Sequence, residues 1–114
     1  MHGFYHIEIP VKNAEKLEPF YADVFGWEIT PFPGMDYTLY KPGDGVGGGF
    51  DRENSPVAEG GITLYIEVED IDAILKAVVD KGGKVMKPKF AIPNVGHIAL
   101  FTDPDGNRMG LWSK

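Results

Sequence analysis

Two short stretches of this chain carry side chains able to hold a cation or move a proton. His6 and Glu8 alternate with Ile7 and Ile9, and later Thr63, Tyr65 and Glu67 alternate with Leu64 and Ile66. Residues two apart on a strand point to one face, so each polar set lies along one side of its strand. An imidazole with carboxylates can ligate a divalent metal or serve as acid and base. Strand geometry permits a His6, Glu8 and Glu67 set without requiring it. The plainer reading is a row of hydrated polar residues along an open cleft. His97 shares a face with Ala99 and Phe101 by the same alternation, so its imidazole reaches the cleft mouth as a hydrogen-bond partner or base, or else stays a surface histidine at a strand start. Tyr37, Tyr65 and Trp112 fall on polar faces or near strand ends, where an aromatic wall can hold a flat or cationic ligand. Trp112 fits a subunit interface equally well.

The elements that must position these groups come from an internal repeat. Residues 4 to 26 superimpose on residues 61 to 83 at a constant offset of 57. Tyr5, Ile7, Ile9 and Val11 alternate in the first copy as Ile62, Leu64, Ile66 and Val68 do in the second, which predicts a half-buried strand in each. A helix cap follows at the same offset, Asn13 and then Asp70, and each helix stops near glycine, at Gly26 and at Gly82-Gly83. The first helix has an apolar stripe of Leu17, Phe20, Tyr21 and Val24, but Pro19 sits inside it. Either the turn before Pro19 is irregular or the helix proper begins there. The second runs from Ile71 to Lys81 without a breaker. Three further strands follow each helix: Trp27 to Phe32, Asp36 to Lys41 and Val46 to Phe50, then Lys84 to Pro88, His97 to Thr102 and Arg108 to Trp112. Over these strands the offset lengthens to 61, pairing Leu39 with Leu100 and Gly49 with Gly110. The expectation is one α+β domain of tandem βαβββ modules, about 4–50 and about 61–113, with a polar linker at 51–60. A curved mixed sheet would surround a cleft lined by the first and fifth strands, with the helices outside.

Bulk properties narrow the function. With 114 residues the copies are expected to share one core. A net charge of −6 opposes nucleic acid and anionic lipid. There is no cysteine, hence no disulfide, thiol nucleophile or thiolate metal site. The opening Met1-His2-Gly3-Phe4 lacks a secretory pattern and no apolar run suits a membrane span, so a soluble cytoplasmic protein is expected. No serine fits a nucleophile elbow. Gly43 to Gly48 fits G-x-G-x-x-G, yet no helix pattern follows, so these glycines are read as letting a strand pass close to another backbone or a ligand. The run from Asp103 to Asn107 lacks the later ligands of a calcium loop and reads as a hairpin turn.

Three sequence segments carry a resemblance. Phe20-Tyr21 with Val24-Phe25-Gly26-Trp27 closes the first helix, and Gly82-Gly83-Lys84-Val85 closes the second. Asp103-Pro104-Asp105-Gly106-Asn107 then leads into Gly110-Leu111-Trp112. In this order and spacing the chain resembles the vicinal oxygen chelate superfamily, which includes glyoxalase I, bleomycin-resistance proteins, fosfomycin-resistance enzymes and extradiol dioxygenases. The resemblance implies paired βαβββ modules, a homodimer and a cleft that in the enzymes holds a divalent metal. It places the four metal-ligand positions at His6, about Gly49, Thr63 and Gly110. Of these only His6 is a strong ligand, and glycine at position 110 supplies no carboxylate base, so lactoylglutathione lyase activity itself is not expected. Two function classes follow. One is a binding protein for a small organic molecule, using His6, Glu8, Tyr37, Thr63, Tyr65, Glu67, His97, Phe101 and Trp112. The other is a glyoxalase-related lyase or isomerase with a divalent metal at a rearranged His6, Glu8 and Glu67 site.

Overall fold

The alternating apolar residues build two sheets of the same design. In the computed structural model, which describes residues 2–114, the order is β1 (Ile7–Pro10), α1 (Ala14–Phe25), β2 (Glu28–Pro31), β3 (Thr38–Lys41), β4 (Gly48–Asp51), β5 (Tyr65–Glu67), α2 (Ile71–Asp80), β6 (Lys84–Ile92), β7 (Gly96–Thr102) and β8 (Arg108–Ser113). The strands form two open four-stranded sheets, β1-β4-β3-β2 and β5-β8-β7-β6. In each, the first strand pairs parallel with the last and the others pair antiparallel. This is an α+β fold of two βαβββ modules. The chain divides into the units Met1–Pro56 and Val57–Lys114, with the boundary inside the expected linker.

The two offsets of the sequence repeat reappear as strand register. Glu8 lies opposite Gly49 as Tyr65 lies opposite Gly110, and Ile9 lies opposite Phe50 as Ile66 lies opposite Leu111. The first strand of each copy is shorter than its pattern. Pairing starts at Ile7 and at Tyr65, so Tyr5 and Ile62 precede the sheets and are exposed instead of continuing the apolar face. β6, by contrast, runs on through the residues expected to begin a loop, to Ile92.

α1 starts at Ala14 and passes straight through Pro19, so it does not begin at the proline. Pro19 is exposed, where the missing hydrogen bond faces water. Asn13 makes no side-chain cap bond, whereas Asp70 accepts from the Ala73 amide at 3.1 Å. Gly26 adopts φ 71°, the left-handed conformation that ends α1.

In the first unit Ile9, Val11, Leu17, Phe20, Tyr21, Tyr40 and Phe50 are buried. Tyr21 stacks on Trp27 with centroids 4.9 Å apart, Trp27 stacks on Tyr40 at 4.7 Å, and Tyr40 meets Phe50 at 5.4 Å. These rings fill the space between α1 and one face of its sheet. The second unit buries Ile71, Leu75 and Val78 of α2 together with Ala99, Phe101, Met109 and Leu111. Each sheet therefore has one helix-covered face and one face turned away from its helix. β6 is an edge strand blunted by exposed Lys84, Lys87 and Lys89, by Pro88 and by two register shifts. Asp103 turns the last hairpin: its carboxylate accepts from the Asp105 and Asn107 amides at 3.0 and 2.9 Å and from the Asn107 side chain at 2.8 Å.

Tyr40 donates to the Ile7 carbonyl at 2.7 Å, and burial pushes its phenol up to about 12. An unfolded phenol ionises near 10, so as pH rises through this window the unfolded chain loses its proton first and stability falls. Urea unfolding at stepped alkaline pH should show that loss between about 10 and 12. Tyr40→Phe should make the loss shallower without abolishing it, because the Tyr37 phenol is raised as well, and an unchanged alkaline limb in the variant would assign the loss to another group.

Candidate functional site

Alternation places His6, Glu8, Gly49, Tyr37 and Leu39 on the face of the first sheet that α1 leaves open. Neighbours there are fixed by register, with Glu8 opposite Gly49 and Leu39 opposite Gly49 on the other side. A methyl at Gly49 would run into the Tyr37 phenol, so the ring lies directly across that glycine. The Tyr37 hydroxyl donates to Glu8 Oε2 at 2.7 Å and stands 2.7 Å from His6 Nε2. A phenol has one proton to give, and it goes to the carboxylate, so His6 donates from Nε2 and the Tyr37 oxygen accepts. The result is a chain, His6 to Tyr37 to Glu8, whose second link is charge-assisted.

Burial, the hydrogen bond to Glu8 and the charges of Glu8 and Asp51 all push the Tyr37 phenol well above its ordinary range. It stays a neutral donor at any physiological pH. His6 stacks near Tyr37 with centroids 6.2 Å apart, and Phe32 meets the Tyr37 ring edge-on at 6.4 Å. Arg52 steadies the hairpin that carries Tyr37 by pairing with Asp36 at 3.2 Å and with Glu18 on α1 at 3.4 Å.

The second sheet repeats the glycine and the ring but not the polar chain. A methyl at Gly110 would strike the ring of Tyr65, 2.5 Å from its Cε1. Tyr65 is 49% exposed, and Glu67, opposite Trp112, is exposed as well. Thr63 precedes β5 and is half-buried. Phe101 is fully buried and lies on the helix-covered face with Ala99. His97 shares that face by register, opposite Ser113, and its Nδ1 is 3.2 Å from the Lys114 carbonyl oxygen. The structure thus joins His6, Glu8 and Tyr37 in one cluster, places Tyr65, Glu67 and Trp112 on the open face of the other sheet, and turns His97 and Phe101 the other way.

The residues present do not fit a divalent ion. Gly49 and Gly110 have no donor, and the room a donor would need is filled by Tyr37 and Tyr65. Among the described residues no three His, Cys, Asp or Glu side chains come together as a metal site. Within the rearranged set, His6 and Glu8 are tied to Tyr37 instead. The role of Gly49 as a seat for a ring went unread in the sequence, although Gly47-Gly48-Gly49 ahead of Phe50 signalled a close approach.

Comparison with known proteins agrees with this fold. The model of the Glyoxalase/Bleomycin resistance protein/Dioxygenase superfamily matches residues 3–111. CFP32 of Mycobacterium tuberculosis, which carries glyoxylase in its name, is 32% identical over 93% of this chain and 43% of its own length. A glyoxylase-like domain-containing protein of Didymella fabae is 32% identical over 95% of this chain and 91% of that protein. The anthracycline biosynthesis protein DnrV of Streptomyces peucetius is 29% identical over 83% of this chain and 41% of its own length. The chain therefore spans less than half of CFP32 and of DnrV. Among solved structures, the fosfomycin resistance protein FosX of Listeria monocytogenes superimposes with TM-score 0.80 at 17% identity, covering 100% of this chain and 94% of FosX. TnmS3, an antibiotic binding protein from Streptomyces sp. CB03234, superimposes with TM-score 0.74 at 24% identity, covering 99% and 98%. No helix in the described residues is long and apolar enough to cross a membrane.

Proposed function

The chain belongs to the Glyoxalase/Bleomycin resistance protein/Dioxygenase superfamily, and from that premise we propose that it binds a small organic molecule without a metal. One observation carries this reading: two of the positions at which the resemblance places metal ligands are glycines, each covered by a tyrosine ring. On the first sheet, the His6, Tyr37 and Glu8 chain is the polar station of the site. Glu8 Oε2 is engaged by Tyr37, which leaves its other oxygen to accept from a ligand, and His6 Nδ1 offers a second contact. The names of relatives that bind antibiotics or resist them support the ligand class. Homodimer formation and a cytoplasmic location belong to the same reading.

A thermal-shift screen of antibiotic-sized molecules in the presence of EDTA tests it. Ligands should raise the melting temperature with EDTA present. Tyr37→Phe breaks both links of the polar chain and should weaken binding about tenfold, in keeping with roughly 1.5 kcal/mol for a charge-assisted hydrogen bond. Equal affinity in the variant would remove the polar station from the site. Binding that disappears in EDTA would favour the metal-dependent alternative.

A further inference from the structure

The duplication provides an internal comparison. Residues related by it occupy the same register in the two sheets, so Glu8 and Gly49 correspond to Tyr65 and Gly110, and Pro10 and Asp51 correspond to Glu67 and Trp112. On the helix-covered faces the large side chains keep their character because packing requires it, although Gly48 gives way to Met109 and Thr38 to Ala99. Ile9 answers to Ile66, Phe50 to Leu111 and Tyr40 to Phe101. On the open faces it is not kept. Tyr65 stands where the first copy has Glu8, Trp112 where it has Asp51, and Ile98 where it has Tyr37, while Leu39 and Leu100 agree. Nothing in either core demands this change, so its cause lies in what the open faces meet.

The register of the second sheet spells out the surface. One row across it reads Tyr65, Gly110, Leu100, Lys87, and the next reads Glu67, Trp112, Ile98, Phe90. Lys87 covers Phe90, with its ammonium 5.0 Å from the ring centroid. That leaves Tyr65, Trp112, Ile98 and Leu100 as a patch three strands wide, about 10 Å at the usual strand spacing. Such a width suits two or three fused rings and is too small for a protein interface. Gly110 keeps it flat, because the Tyr65 ring lies down across the glycine.

We propose that the open face of the second sheet is a seat for planar, mainly apolar ring systems, with Tyr65 and Trp112 selecting flat molecules over puckered ones. The proposal rests on the small-molecule reading and deepens it by naming the ligand class. The two open faces differ in kind: that of the first sheet carries hydrogen-bonding and acidic groups, and that of the second carries an aromatic and aliphatic floor. A flat ring gains dispersion contact over its whole face against such a floor, whereas a chair-shaped ring of equal polarity touches it only at a few hydrogens.

Naphthol and its saturated counterpart decahydronaphthol, which share one hydroxyl and differ in flatness, test the proposal by amide chemical-shift mapping. Naphthol should shift the amides of Tyr65, Ile98, Leu100 and Trp112 and bind about tenfold more tightly than decahydronaphthol. Tyr65→Leu and Trp112→Leu should each erase most of that preference. Tyr65 is half in solvent, so its variant keeps the test open should the Trp112 variant fold poorly. Equal binding of the two probes, shifts confined to other residues, or a preference surviving both variants would overturn the ring seat. So would concentration-dependent broadening of the same amides without probe, which would assign the face to a second copy of the chain. The two readings fail separately, because the polar station is judged by Tyr37→Phe and the ring seat by Tyr65→Leu.

Discussion

Gly48→Ala is expected to destabilise the protein by about 3 kcal/mol, at the upper end for adding one methyl to a packed interior. The added carbon would meet the Ile7 backbone, 2.6 Å from its carbonyl carbon and 2.8 Å from its amide nitrogen, with the carbonyl oxygen closer still. Backbone cannot swing aside as a side chain can. β1 and β4 are the parallel pair that begins at Ile7 and Gly48, so they must separate there, and His6, just ahead of β1, moves with them. Thermal unfolding should drop by about 12 °C or more for a domain of this size. Gly34→Ala makes a useful contrast, since no atom lies within 4 Å of the added carbon and only its φ of 78° resists the change. Equal losses for the two variants would mean that the close approach at Gly48 matters no more than ordinary backbone strain.

Gly49→Ala, one residue on, should act mainly on binding: a modest loss of stability of about 1–2 kcal/mol and a loss of ligand affinity of at least about tenfold. Here the new carbon meets the far end of the Tyr37 side chain, which can rotate away. In doing so it gives up its bonds to His6 and Glu8. The phenol, raised by burial and by Glu8, should then fall back toward the ordinary phenol range. Spectrophotometric titration would show one additional tyrosine ionising at lower pH than in the parent protein. An unchanged titration with unchanged affinity would mean that the ring does not depend on the glycine.

Much of the fold was legible because the chain states it twice. The recurrence of alternating apolar residues, a cap and a glycine stop fixed strand, helix and strand order, and the lengthened offset of the later strands reappeared as register between Glu8 and Gly49 and between Tyr65 and Gly110. Element ends were less legible. Tyr5 and Ile62 continue the apolar alternation, but pairing rather than pattern decides where a strand begins, and neither has a partner in the sheet. Pro19 allows either an irregular first turn or a helix start because its cost inside a helix is large, yet on the exposed side the stripe of Leu17, Phe20 and Tyr21 outweighs it.

The site was half legible. Alternation alone aligned His6 with Glu8, and Tyr37 was marked as a wall residue, but no local rule says that its hydroxyl bridges the two from 31 and 29 positions away. Alternation also grouped His97 with Phe101 correctly but turned them toward the cleft, whereas both lie on the helix-covered face. The core residues Ala99, Met109 and Leu111 settle the face, because the buried face is the one α2 covers.

On the proposed reading, tyrosine rings have taken the place of metal ligands. Metal analysis of the purified protein, joined to thermal-shift titration with magnesium, manganese, nickel, zinc and iron(II), addresses it most directly. Substoichiometric metal and no saturable rise in melting temperature with any of the five are expected. A stoichiometric ion that stabilises the fold, with the effect lost in His6→Ala, would contradict that reading and return the molecule to metal chemistry.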